Sequence, residues 1–241
     1  MTALHLADAG EAADLAAFLA RLIHYDKAAA VRLQAGGGVL AVFGRPPSFE
    51  VLAIRTARLA EDSALDTTVS AGELLDGIEE PAGAVTVPAA VTGPPWTGLL
   101  PPRGGWQRVP GLPAPEALVR TVAAAVAEFR ARDEALPPQH RTRAERDRIG
   151  REIWSRTLGD THLPLRAAHA AQSLGFLRPA RAAALVGGGT SPGAAAPAHR
   201  QPQPLSLLSA GGWLRLSTPY GSVAVRTGGP AGLSGLTVTP A

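Results

Sequence analysis

Residues 211–226, GGWLRLSTPYGSVAVR, decide how the C-terminal half of the chain folds. They come after a run of arginine-bearing helical sequence, so they read either as the wing of a winged-helix DNA-binding domain or as a hairpin of a core sheet. Pro219 holds φ near about −65°, which suits the first central position of a type I turn and conflicts with the primed turns of two-residue loops. With Gly221 left-handed, this predicts a three-residue loop with a bulge. Thr218 then pairs with Ser222, Ser217 with Val223, Leu216 with Ala224, Arg215 with Val225 and Leu214 with Arg226. One face holds Trp213, Val223 and Val225, the other Leu214, Leu216 and Ala224. Both faces are apolar and the tip STPYGS carries no cation, whereas a projecting wing needs cations at its tip. The stretch therefore predicts a strand pair covered on both sides, with LSLLS (205–209) as a third strand.

Three helices are expected upstream. Residues 116–135 set Leu118, Val122, Val126 and Phe129 in register. Residues 142–158 open with a Thr142 and Glu145 capping pair and bury Ile149, Ile153 and Trp154. The third opens at Pro164 and closes at Gly175, a left-handed cap followed by an apolar contact from Phe176 or Leu177.

Nearer the N-terminus, Leu15, Phe18, Leu19, Leu22 and Ile23 form one apolar stripe over 9–25, with Asp8 and Glu11 as a capping box. Three strand-like runs follow, ending at Gln34, starting at Val39 and starting at Phe49, the first two separated by AGGG, which suits a tight hairpin. SAGELLDGI then predicts a short helix capped by Ser70 with Glu73. Residues 81–115 hold nine prolines and six glycines, too many for helix or central strand. They also hold Trp96, Leu99, Leu100, Trp106 and Val109, more apolar surface than a disordered linker carries. The fold class is thus α+β, with two subdomains that each pack an antiparallel meander with helices. Residues 1–80 form the first subdomain, 81–115 an ordered arm anchored by Trp96 and Trp106, and 116–241 the second. Within the second, 187–204 reads as a flexible loop and 229–241 as a loose tail.

The chain has no cysteine, which excludes disulfides, thiolate nucleophiles and cysteine-ligated metals. Its start is acidic and alanine-rich, without the basic and then apolar segments of a secretory signal, and no run of about 18 apolar residues suggests a membrane span. A cytoplasmic location is expected. Charge is uneven: residues 1–100 carry a net −6 and residues 101–181 a net +6, almost every cation being arginine. A GC-rich genome accounts for the joint excess of arginine, alanine, glycine and proline.

Catalytic motifs fail on context. Gly36, Gly38 and Ala41 match a dinucleotide fingerprint, but a strand follows them where a helix N-terminus is needed. GTSPG (189–193) matches a nucleophile elbow, but Ser191 precedes Pro192 in a loop with no flanking strand and helix. His5, His24, His140, His162, His169 and His199 contain no i, i+4 pair with an acidic third ligand. No catalytic, cofactor-binding or metal-binding residue is assigned, and the chain reads as non-catalytic.

Nucleic-acid binding is the alternative function, with Arg141, Arg143, Arg146, Arg148, Arg151 and Arg156 as phosphate contacts. Two features oppose it. Glu145 and Asp147 interleave the arginines, and the would-be recognition helix offers only Arg166, His169, Gln172 and Ser173 for base readout.

The stretches FLARLIHYDKAAAVRLQ, TGPPWTGLLPPRGGW, EIWSRTLGDTHLPLRAAHAAQSLGFL and WLRLSTPYGSVAVR resemble an uncharacterised family from high-GC actinobacteria, made of two consecutive domains of unknown function. The resemblance covers most of the chain outside 187–204 and implies no activity and no functional residues. The expected function is a non-catalytic interaction or regulatory module. Its partner is a protein, or a second copy whose basic half meets the acidic N-terminal half. Arg141, Arg143, Arg146, Arg148, Trp96 and Trp106 are the candidate contacts. An enzyme stands third, to be revived by a pocket gathering His24, His162 or His169 with carboxylates.

Overall fold

The structure, a computed structural model, describes residues 2–178 and 205–227; the stretches 187–204 and 229–241, together with Ser191 and His199, lie outside the described residues. In chain order the elements are β1 (Thr2–His5), α1 (Ala9–Tyr25), β2 (Ala30–Gly36), β3 (Val39–Gly44), β4 (Leu52–Arg58), β5 (Leu65–Ser70), α2 (Ala71–Asp76), β6 (Ile78–Glu79) and β7 (Ala84–Val87). There follow β8 (Gln107–Val109), α3 (Pro115–Glu134), α4 (Arg143–Trp154), α5 (Leu165–Ser173), β9 (Ser206–Ala210), β10 (Trp213–Thr218) and β11 (Gly221–Arg226). Helices and antiparallel sheets make the fold α+β, as the periodicities required.

The helix starts are chemically specified. The Glu11 amide donates to Asp8 Oδ1 at 2.9 Å, the Glu73 amide to Ser70 Oγ at 3.4 Å and the Glu145 amide to Thr142 Oγ1 at 3.3 Å. Each satisfies one of the amides a helix start leaves without an intrahelical partner. The AGGG turn joins β2 to β3 with Gly37 and Gly38 both left-handed, at φ 61° and 72°, which is what a two-residue primed turn demands.

The two meanders share one sheet. Its eight strands run in the order β5-β2-β3-β4-β11-β10-β9-β8, and the seam is an antiparallel pairing of Ser222 with Ile54, Val223 with Ala53 and Ala224 with Leu52. Val31, Leu33, Leu40, Val42 and Ala53 from the first meander share a continuous core with Leu207, Leu214, Leu216, Val223 and Val225 from the second. Over this inner face lie Leu15, Phe18, Leu19 and Leu22 of α1, Leu118 and Val122 of α3, Ile149 and Ile153 of α4, and the alanines of α5.

The 211–226 hairpin is core sheet, with Leu214 and Leu216 buried and β9 as its third strand. Its register differs by one residue from the expected one. Thr218 pairs with Gly221, Ser217 with Ser222, Leu216 with Val223, Arg215 with Ala224, Leu214 with Val225 and Trp213 with Arg226. The loop is therefore two residues, Pro219 and Tyr220, closed by a side chain in place of a bulge. The Thr218 hydroxyl accepts the Tyr220 amide at 3.2 Å and donates to the Gly221 carbonyl at 2.8 Å. Gly221 takes a positive φ of 156°, which residues with a side chain rarely adopt, and a Cβ there would lie 2.6 Å from the Phe176 ring. A one-residue shift re-sorts the pairing: Leu214, Leu216, Val223 and Val225 share the inner face, while Trp213, Arg215 and Ala224 share the outer one.

A second sheet, β1-β7-β6, was not expected. Its middle strand, β7, lies inside the 81–115 stretch judged too rich in proline and glycine for such a strand. The four residues between Gly83 and Pro88 suffice, because Val85 and Val87 are buried and pair with Leu4 and Thr2. The outer sheet edge, β5, was likewise missed as a strand.

Candidate functional site

Arg146 and Arg148 of α4, and Arg156 just beyond it, face acids of their own chain. Asp133 near the end of α3 takes Arg146 at 2.6 Å, Glu145 holds Arg148, Glu152 receives Arg132 at 2.7 Å, and Glu128 of α3 receives Arg156. These contacts raise the pKa of Arg146 and Arg148 and lower those of Glu128, Glu145 and Glu152, in each case chiefly through the guanidinium–carboxylate hydrogen bond. Arg141 donates to the Glu134 carbonyl at 3.0 Å, and Arg143, 95% exposed, reaches Asp147 only at 3.8 Å. Helix α5, the would-be recognition helix, buries Leu165, Ala167, Ala168, Ala170 and Ala171 in the core.

The histidines do not gather. His169 stacks on Trp154, with ring centroids 4.3 Å apart, and meets the edge of Phe49 at 5.2 Å. Burial pushes its pKa down from the ordinary value. His24 and His162 are exposed. Among the described residues no group of three or more His, Asp or Glu is placed to hold a metal ion.

One charged cluster is inside the fold. Arg55 of β4, 6% exposed, donates to the Tyr220 carbonyl at 2.7 Å, Glu11 at 3.1 Å and Asp14 at 3.2 Å. Arg178 closes the cluster by pairing with Asp14 and lying over the Tyr220 ring. Acids of α1 thereby clasp the β10–β11 turn. Part of the charge difference between the two halves is consumed within the chain.

The outer face of the sheet is different. Phe43, Leu52, Ile54, Trp213 and Ala224 form a small buried cluster there, against which Trp96, Leu100 and Trp106 of the arm pack. The arm covers this face only in part. Beside it a cleft of about 460 Å³ opens between the β2–β3 turn and Pro101–Arg103, floored by Val39, Ala41, Phe43, Ile54 and Thr56. Arg215 projects into it, half-buried, donating Nε to Ser222 Oγ at 2.8 Å with its guanidinium 5.7 Å from the Trp106 ring centre. Trp106 in turn donates to the Pro102 carbonyl at 3.0 Å, so one side chain fixes both the cleft wall and the cation. Burial pushes the Arg215 pKa down, and among the described residues no carboxylate pairs with it. Sequence reading passed over Arg215. Its only signal was a cation between Leu214 and Leu216, in the middle of an apolar run.

Fold and site together define a class: a long antiparallel sheet with a helical layer on one face and a cleft on the other. Residues 101–230 match a family model described as a domain of unknown function, DUF8185, and residues 1–98 match another, DUF8010. The chain belongs to the DUF8185 family, with a DUF8010 domain preceding it. No curated protein and no solved structure matches the chain. Among the described residues no helix is long and apolar enough to cross a membrane.

Proposed function

We propose that the chain is a non-catalytic interaction module that receives a partner protein on the outer face of its sheet. The observation that carries this reading is the half-buried Arg215 in a partly roofed apolar cleft: a burial-penalised cation beside open apolar surface is a complementarity requirement directed outward. Trp96 and Trp106 serve the reading by building the cleft, packed against their own sheet, and not as free anchors. The arginine, alanine, glycine and proline bias supports an actinobacterial, high-GC source, and a cytoplasmic setting goes with the cysteine-free composition.

Nucleic-acid binding through the Arg-rich segment around α4 is the second reading, favoured by Arg141 and Arg151, which pair with no carboxylate among the described residues, and by Arg143, which reaches Asp147 only at 3.8 Å. It predicts a mobility shift of duplex DNA that weakens steeply with salt.

The test is affinity capture from the native cytoplasm, with nuclease, on the wild-type chain and on Ala41→Trp, which fills the cleft floor. A protein retained by the wild type and lost from the variant is expected. Identical captures on both, or captures abolished by nuclease, overturn the reading.

A further inference from the structure

The cleft also specifies what kind of group it accepts. Arg215 has spent its Nε on Ser222. Among the described residues no acceptor meets its two terminal nitrogens, which leaves the end-on pair of donors that engages a carboxylate in parallel hydrogen bonds. The cation is held there by the Trp106 ring and by its strand, so little side-chain freedom is lost on binding.

The surroundings favour one anion over another. Pro101 and Pro102 form a wall without N–H donors, and Val39, Ala41, Phe43 and Ile54 make most of the floor apolar, so a dianion such as phosphate finds one partly buried guanidinium, with Gln34, Thr56 and the exposed Arg103 as the other side-chain donors of the lining. A monoanion on an apolar body satisfies both parts of the cleft. Exposed Arg103 at the rim adds attraction at longer range. Two carboxylates near this side of the sheet are engaged elsewhere: Asp66 is held by Arg32 at 2.7 Å and by Gln34, and Asp62 accepts the Gly38 amide of the β2–β3 turn at 2.9 Å. A cleft of about 460 Å³ falls in the size range of small-molecule sites.

We propose that this cleft binds a small carboxylate carried on an apolar body, with the head taken end-on by Arg215 and the body lying on Val39, Ala41 and Ile54. The proposal rests on the outer face being a recognition surface, but not on its partner being a protein. Binding also relieves the burial cost of the Arg215 cation, so the ligand stabilises the fold as it binds.

Octanoate is the probe, titrated into the full chain by calorimetry and followed by the rise in Tm. Octanamide, inorganic phosphate and a blocked Leu-Glu-Leu peptide are run in parallel, on wild type, Arg215→Gln and Ala41→Trp. Octanoate is expected to bind the wild type, with octanamide and phosphate at least about tenfold weaker and both variants weakened at least about tenfold. Ala41→Trp leaves the cation untouched, so it decides the matter if Arg215→Gln folds poorly. No heat or Tm change up to about 10 mM octanoate, equal binding of octanamide, or undiminished binding by the variants overturns the proposal. Binding of the peptide alone overturns it in favour of an acidic protein segment. Capture of a partner that depends on Ala41 while octanoate is ignored removes this ligand and leaves the interaction reading standing.

Discussion

The two faces of the eight-stranded sheet are built from the same strands and have opposite fates. On the inner face, residues of both family domains interlock in one core beneath α1, α3, α4 and α5. On the outer face a five-residue cluster is covered by an arm held through two tryptophans, and a cleft remains beside it. The inner face joins the two domains in one core, while the outer face keeps surface that this core does not cover. Buried core and uncovered surface are thus separated by side-chain parity along single strands: Leu214 and Leu216 point one way and Arg215, between them, the other.

The strongest attack on that contrast is to cut the chain between its domains. Residues 1–98 alone leave the edge of β4 unpaired, and residues 101–230 alone leave that of β11. Each fragment exposes half of a shared core as well as a bare sheet edge. Neither is expected to unfold cooperatively by itself, and mixing the two restores a single transition in urea. Two separately cooperative fragments would mean that the seam between Ala53 and Val223 is a contact between finished domains.

Point substitutions sharpen the same contrast at smaller cost. Leu216→Ala on the inner face removes a fully buried side chain and should cost about 2–5 kcal/mol by urea denaturation. Thr56→Val, at an exposed position of the outer face, should stay within about 0.5 kcal/mol. Comparable losses at both sites would contradict the division of labour between the faces.

Much of this was legible from residues, and the failures have physical causes. Helix α1 was read at its observed bounds because five apolar residues share a 3.6-residue period and Asp8 caps it. The β2–β3 turn was read because only glycine enters the left-handed region freely there. The hairpin register slipped because a bulge was assumed to close the loop, whereas the Thr218 hydroxyl closes it, a hydrogen bond that leaves no period or spacing. β7 was missed because strand length was judged from proline density, while four residues with two buried valines were enough. The seam joining β4 to β11 is a pairing across about 170 residues of sequence, and no local pattern encodes such a distant partner. The site was missed for a related reason. Of the arginines clustered in sequence around α4, Arg146, Arg148 and Arg156 are occupied by acids of α3 and α4, while Arg215, set apart from them in sequence, is the half-buried one that reaches the cleft.

The smallest expected effect lies at the helical end of the inner layer, where His169 fills the space between Trp154 and Phe49. Burial holds its folded-state pKa below the ordinary value, so below about pH 6.5 the unfolded chain binds a proton that the folded chain resists. Stability from this group is therefore fully present above that pH and is lost as pH falls toward the folded-state value. Urea midpoints should decline between about pH 7.5 and pH 5.5, and His169→Phe, which keeps a ring in the stack, should flatten that decline. The exposed pairs of α4 do not blur the outcome. Glu128, Glu145 and Glu152 are shifted downward, so their contribution is lost only at more acidic pH, as pH falls through the carboxylate range. A decline that persists unchanged in His169→Phe would assign the pH sensitivity to another group and leave the His169 stack as packing alone.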